Sequence, residues 1–407
     1  MKAMRTMLRV LATCVVATWT LIGWPDAAAA QTGDLLFDQS VVHEIRLSLN
    51  SRDLAELRSH YDLNTYYPAD FRWGTVRLAN VAVRSRGFGT RNPTKLGLRI
   101  DFTHYGNGQR LLGLKSLVLK NLWQDPSMVR EALAMAMFNR MGQPAPRESF
   151  CRLYINGVYQ GLYGVVEEID DIFLGRTFGS DAGYLYEFHY HLAPFNAGYL
   201  GNDLAAYKPF FEPRTHELES DTALYAPLAD LFRAVNAGDD LAWRADVERR
   251  LDLAQFVTHL AIENFLAEND GVLGHAGMNN FYVYRAAADA PHRLIVWDKD
   301  NTFFNPFMSL LDRYQQNEVM RRAMRYPDLL ALYLQTIEAC ASAATANGWL
   351  ESTFNRLSSL VDAAAREDTR KPFTNADFDA GLAYVRRVID ARPAFVMEQV
   401  QRLRREP

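Results

Sequence analysis

The feature that most constrains this chain is a change in the spacing of its apolar residues near residue 210. Before it, hydrophobic positions recur every second residue. "TVRLANVAVRSRGFG" from Thr75 and "KLGLRIDF" from Lys95 read this way, Val41 to Asn50 does so more loosely, and "LKSLVLKN" from Leu114 reads as a further short strand. A period of two lines one face of a strand with apolar side chains. From about Ser220 the spacing becomes helical, with Leu253, Phe256, Val257 and Leu260 on one face. Long helical stretches follow over Pro327 to Ala344, Gly348 to Arg366 and Asn375 to Leu403. Strand patterns followed by helix patterns predict an α+β chain. The expected division is a β-rich N-terminal lobe over 31–210 and an α-rich C-terminal lobe over 211–407, with a ligand cleft between them.

Local signals refine this outline. Ala79-Asn80 suggests a hairpin within the first alternating run. Asn156-Gly157 suits a type I′ turn because both residues tolerate positive φ. Asp125-Pro126-Ser127 reads as a helix start, with Gly142 as the stop. Asp252 with Gln255 forms a capping box. Residues 171–213 read as loops around one strand, Tyr184 to Phe188. Two short strands, "NFYVYR" and "HRLIVW", interrupt the later helices.

The first thirty residues stand apart. Lys2, Arg5 and Arg9 precede an apolar run from Leu11 to Trp24, and Ala28 to Ala30 offer a small-residue cleavage site. That order predicts a signal peptide over 1–30 and a secreted, periplasmic or cell-surface protein, with no later apolar stretch of spanning length. Cys14 would leave with the signal; Cys151 and Cys340 would remain, either as a disulfide or as buried thiols. The net charge of −4 argues against a general nucleic-acid binder.

Chemistry concentrates in two stretches. "LIVWDKDNTFF" drives four apolar residues inward and then sets Asp298 and Asp300 at the tip. "ENDGVLGHAGMNNFYVY" follows a helical pattern with Asp270, a glycine-containing loop and Asn279-Asn280. The order helix, loop Asp, Asn, strand, strand, Asp is the order of phosphotransfer machinery in protein kinases. There the loop Asp orients the attacking hydroxyl, and the Asn and later Asp hold magnesium across the phosphates. The first half fits the same order. A glycine turn, "RSRGFGTRN", is followed by a strand ending in Lys120, a helix carrying Glu131, and a hairpin leaving through "VVEEID". Lys95 competes with Lys120 as the phosphate ligand. Each piece has an ordinary alternative: a plain turn, a solvated lysine, or a glutamate complementing a helix N-terminus.

Together these segments resemble the CotH family, spore coat protein H and its relatives. The most specific matches are "LYINGVYQGLYGVVEEID" and "WDKDNTF". The resemblance implies a two-lobed atypical protein-kinase-like fold and transfer of the ATP γ-phosphate to Ser or Thr of a protein substrate, with Mg2+ or Mn2+. It implies Asp270 as the catalytic aspartate and Asp298, Asp300 and Asn280 as metal ligands. Arg86, Lys95, Lys120, Glu131 and Glu167 are the expected cofactor-binding residues. The alternative it leaves open is an inactive kinase-like surface protein. One departure is Glu187 in "YLYEF", where family members often carry Lys.

Overall fold

The computed structural model describes residues 33–106, 108–190, 194–238 and 242–405; the expected signal segment, 1–30, lies outside them. The chain opens with β1 (Val42–Leu49), α1 (Ser51–Ser59), β2 (Tyr67–Trp73) and β3 (Val76–Ser85). Then come β4 (Leu98–Asp101), β5 (Ser116–Lys120), α2 (Arg130–Arg140), β6 (Glu148–Ile155) and β7 (Val158–Glu167). The seven strands close into a barrel in the order β1-β2-β3-β4-β5-β7-β6. Closure comes from β1, which pairs antiparallel with β2 and parallel with β6. Closure removes free strand edges. The alternating apolar residues fill the interior, among them Ile45, Val83, Ile100, Leu119 and Val165.

Two turns differ from expectation. The β2–β3 hairpin turns at Gly74-Thr75, since Trp73 pairs with Val76; Ala79-Asn80 lies within β3. Asn80 does take positive φ (53°), but as part of an irregularity where the register slips between Ala69 and Phe71. Asn enters the left-handed region easily, and that serves a bulge as well as a turn. The helix expected from Asp125 begins at Arg130. Met128 has φ 58°, which breaks the helical run, and the Asp125 carboxylate accepts from the Ser127 and Arg130 amides instead (2.8 and 2.9 Å). The Asn156-Gly157 turn has both residues at positive φ (50° and 78°). The Asn156 side chain also bonds the Leu49 amide and carbonyl, tying this hairpin to the end of β1.

After the barrel come α3 (Asp171–Phe178), β8 (Tyr184–Phe188), β9 (Phe211–Pro213), α4 (Asp221–Val235), α5 (Trp243–Glu248) and α6 (Leu253–Phe265). Then follow β10 (Phe281–Arg285), β11 (Arg293–Val296), α7 (Glu318–Ala323), α8 (Pro327–Thr345), α9 (Trp349–Glu367) and α10 (Asn375–Arg405). Strands β11-β10-β8-β9 form a second sheet, so the strands after residue 210 pair with those before it. Asp252 caps α6 by accepting from the Gln255 amide (3.0 Å), while the Gln255 side chain turns to Gln143 and Leu294 rather than closing the box. The molecule is mixed α+β, sheet-rich first and helical later. By length and composition alone, Pro327–Glu367 is long and apolar enough to cross a membrane, a test that a buried core helix also passes. Here it is two helices joined through Asn347 (φ 53°), contributing Leu334, Ile337, Leu357 and Val361 to the core. Cys151 and Cys340 are separate buried thiols, which settles the disulfide alternative against pairing in this structure.

Candidate active-site cleft

Helix α6 ends at Phe265, and its apolar residues bury it in the core. Ala267 turns the chain with φ 51°, and the loop carrying Asp270 follows. This loop is wound too tightly for side chains at its glycines. A Cβ on Gly274 would lie 2.6 Å from the Gly277 carbonyl oxygen, and one on Gly271 would meet the Glu263 carboxylate at 2.6 Å. Asp270 Oδ2 accepts from both Asn279 Nδ2 and Asn280 Nδ2, each at 3.1 Å, and Asn280 Nδ2 also donates to the Asp270 carbonyl (2.9 Å). Burial raises the Asp270 carboxyl above its ordinary range.

The second loop is delivered by β11, whose Val296 pairs with Phe281 at the start of β10. Leu294, Ile295 and Val296 are buried on both faces of the sheet, which explains the unbroken apolar run. Asp298 then turns with φ 49°, as Asn280 does with φ 61°. Non-glycine residues rarely hold this conformation, and such residues gather at functional sites. From the barrel, the end of β5 brings Lys120 to within 3.0 Å of Asp298 Oδ1 while it pairs with Glu131 of α2. Trp297 has two cations against its ring, with Lys120 Nζ and the Arg86 guanidinium each 4.8 Å from its centre.

The electrostatics separate the two tip carboxylates. Burial works to raise Asp298, but Lys120, helped by Arg86 and Lys299, holds it below the usual range. Asp300 goes the other way: burial and the neighbouring Asp298 charge push it well above. Burial likewise opposes the charge on Lys120, and Asp298, Glu131 and Asp300 together outweigh it, keeping Lys120 protonated.

Asp270, Asn280, Asp298 and Asp300 line one cavity of about 830 Å³. Arg86, Gly87, Phe88 and Gly89 of the glycine turn line it as well, with Glu168, Glu187 and Arg214. Arg86 therefore stands in the cleft, bonded to Glu187 Oε1 at 3.0 Å.

Of the other expected residues, Lys120 and Glu131 are not part of the cleft lining and reach it only through Asp298; two more stand apart from it. Lys95 is fully buried, with Nζ bonded to Asp368 Oδ2 (2.6 Å) and the Leu162 carbonyl (2.9 Å). Sealed in the interior and away from the cleft lining, Lys95 does not face a ligand there. Glu167 is buried between Arg147 and Arg176 and does not line the cleft. Its neighbour Glu168 does, held down to about 2 by Arg99, Arg86 and Arg214 against the effect of burial. Glu167 is the last residue of β7 and Glu168 the first beyond it, and "EE" does not say which faces the ligand. The stacking on Trp297, the Glu187–Arg86 pair and the buried partners of Lys299 carried no signal in the sequence, because each joins segments remote from one another along the chain.

The donor chemistry suits a divalent metal. Asp298 and Asp300 offer hard carboxylate oxygens, and their mutual repulsion is what a cation would relieve. Asn280 turns its amide nitrogen to Asp270, and among the described residues nothing donates to its Oδ1. Asp270, Asp298 and Asp300 do not form one tight three-residue group. Among the described residues that spacing belongs to Glu187, His189 and Glu212, where Arg86, Arg214 and His189 already pair with the carboxylates.

The inner spore coat protein H of Bacillus subtilis (strain 168) is 24% identical over 271 residues, covering 65% of this chain and 70% of that protein. An inner spore coat protein H-like protein from the same organism is 43% identical over 53 residues, 13% of this chain and 17% of that one. A crystal structure of the Helicobacter pylori proinflammatory kinase CtkA covers 75% of this chain and 94% of its own, at 12% identity and a TM-score of 0.32, too loose to transfer any detail. The model of the family described as CotH kinase protein matches residues 83–396, spanning the glycine turn, both acidic loops and most of the C-terminal helices. This chain belongs to the CotH family.

Proposed function

We propose that this protein transfers the γ-phosphate of ATP to a Ser or Thr hydroxyl of a protein substrate, using Mg2+ or Mn2+. One observation carries the reading: Asp270, Asn280, Asp298 and Asp300 come from two separate loops and line a single cavity, with the Lys120–Glu131 pair touching Asp298. Asp270, fixed by Asn279 and Asn280, orients the acceptor hydroxyl and takes its proton; its raised affinity for a proton favours that step. Lys120 and Arg86 set positive charge beside Asp298, where phosphate oxygens would lie. Asp298, Asp300 and Asn280 would hold the metal. When bound, a divalent ion neutralises phosphate charge and aligns the groups for transfer. The basic, apolar and small-residue order of the first thirty residues, with the coat location in the relatives' names, supports a place outside the cytoplasm.

A second reading, a kinase-like surface protein that binds without turnover, rests on Glu187. It stands where the family resemblance leads one to expect Lys, and it occupies Arg86. One pair of measurements separates them. Under the catalytic reading, ATP with Mg2+ or Mn2+ raises the melting temperature by several degrees, and Asp298→Asn abolishes the shift. Label passes from γ-labelled ATP to protein, and Asp270→Ala lowers that rate by at least ~100-fold. A nucleotide shift without transfer would leave only the binding reading; neither response would remove both nucleotide roles.

A further inference from the structure

Lys299 lies between the two tip aspartates in sequence and turns away from them in space. Its side chain is fully buried, whereas Asp298 beside it keeps 36% exposure. Lys299 Nζ lies 2.8 Å from Glu263 Oε1 and donates to the Asn280 carbonyl at 3.0 Å. Those partners lead into the other loop. Glu263 Oε2 accepts the Val272 amide (2.9 Å), and Asn280 holds Asp270 through its side chain. One ammonium therefore joins the end of α6, the Asp270 loop, the start of β10 and the tip beyond β11.

Burying an ammonium completely is expensive even when it is paired, and an apolar side chain of similar volume would often be no less stable. Stability alone therefore does not account for a charge at this position. Its contacts do something packing cannot: they fix the direction of a backbone carbonyl and of two loops at once. We propose that Lys299 is a positioning residue, setting the Asp270–Asn280 loop against the Asp298–Asp300 tip before any ligand arrives. Its catalytic consequence rests on the phosphotransfer reading; the locking of the loops does not.

The test uses the full chain. Lys299→Met alone leaves Oε1 of the buried Glu263 carboxylate with only His259 Nε2, 3.4 Å away, and destabilises the fold. Lys299→Met with Glu263→Gln leaves no lone charge, and Gln still accepts the Val272 amide. In the absence of any ligand, hydrogen exchange in the segment 267–282 should rise at least ~10-fold in the double variant, with the barrel unchanged. Mn2+, titrated alone, should bind ~10–100-fold more weakly. At saturating Mn2+, kcat should fall ~10–100-fold while KM for ATP stays within about threefold. A folded double variant with unchanged loop exchange and unchanged Mn2+ affinity overturns the proposal, whatever its activity. Altered exchange and Mn2+ affinity in the variant, where the unsubstituted protein itself transfers no label, uphold the positioning role and reject the kinase reading.

Discussion

His292 has one ring nitrogen engaged and one left over. Nδ1 lies 2.7 Å from the Arg250 carbonyl and so must donate, while Nε2 is buried without a partner among the described residues. That is a neutral imidazole, and burial lowers its pKa to about 4. The residue matters because its backbone joins the chain ahead of α6 to the start of β11, the strand that delivers Asp298. The unfolded chain takes up a proton near the ordinary histidine value of 6.5 and the folded chain does not. Stability from this residue is therefore complete above about pH 6.5 and is lost as pH falls towards 4, by up to ~3 kcal/mol. Urea melts at pH 7 and pH 4 should show a smaller drop for His292→Asn, whose amide can donate to the same carbonyl without titrating. An equal drop in both proteins would remove His292 as the cause.

At the scale of elements, the placement of the two loops depends on α10. Arg392, buried in that helix, donates to the Asn264 and Phe265 carbonyls at the end of α6 (2.7 and 3.1 Å). It also donates to the Pro306 and Met308 carbonyls (3.1 and 2.5 Å) beyond Asp300. One guanidinium thus satisfies the helix end that leads into the Asp270 loop and the segment that leaves the acidic tip. Arg392→Ala takes the side-chain donor from the Phe265, Pro306 and Met308 carbonyls, while Asn264 keeps the Ala267 amide, and should cost about 3 kcal/mol or more, read as a lower urea midpoint. Lys would not replace it, because the five donors of the fork are what the geometry uses. None of this was legible in the sequence, where Arg392 is one of several arginines on a long helix. The strands and turns were more legible, because their signals are local: Tyr184–Phe188 forms the strand read there, and Asn156-Gly157 turns as those two residues dictate. β2 announced itself poorly. "YPADFRW" buries only Ala69 and Phe71, and its neighbours β1 and β3 make it a strand. The acidic tip and the Asp270 loop could be read from order alone. The choice between Lys95 and Lys120 could not, since both sit beside strands and only the three-dimensional partners differ.

At the scale of the whole molecule, the barrel and the C-terminal helices meet at Asp368, just past α9. Its carboxylate receives Lys95 Nζ, the Leu162 amide and the Arg370 and Lys371 amides. Gly161 makes room for it: φ is +118°, and an added Cβ would fall 2.4 Å from the Asp368 carboxyl carbon. Gly161→Ala meets both a backbone and a steric penalty, together about 3 kcal/mol or more. The expected result is a lower urea midpoint at unchanged slope; an unchanged midpoint would mean that Asp368 moves aside freely. The same junction reaches the roof of the cleft. Lys95 and Thr94, held by Asp368 and Arg370, form the root of the segment whose other end is the Gly87–Gly89 turn, with Phe88 at its exposed tip. A chain truncated ahead of Asp368 would keep every acidic residue of the cleft and lose the strut beneath its own canopy.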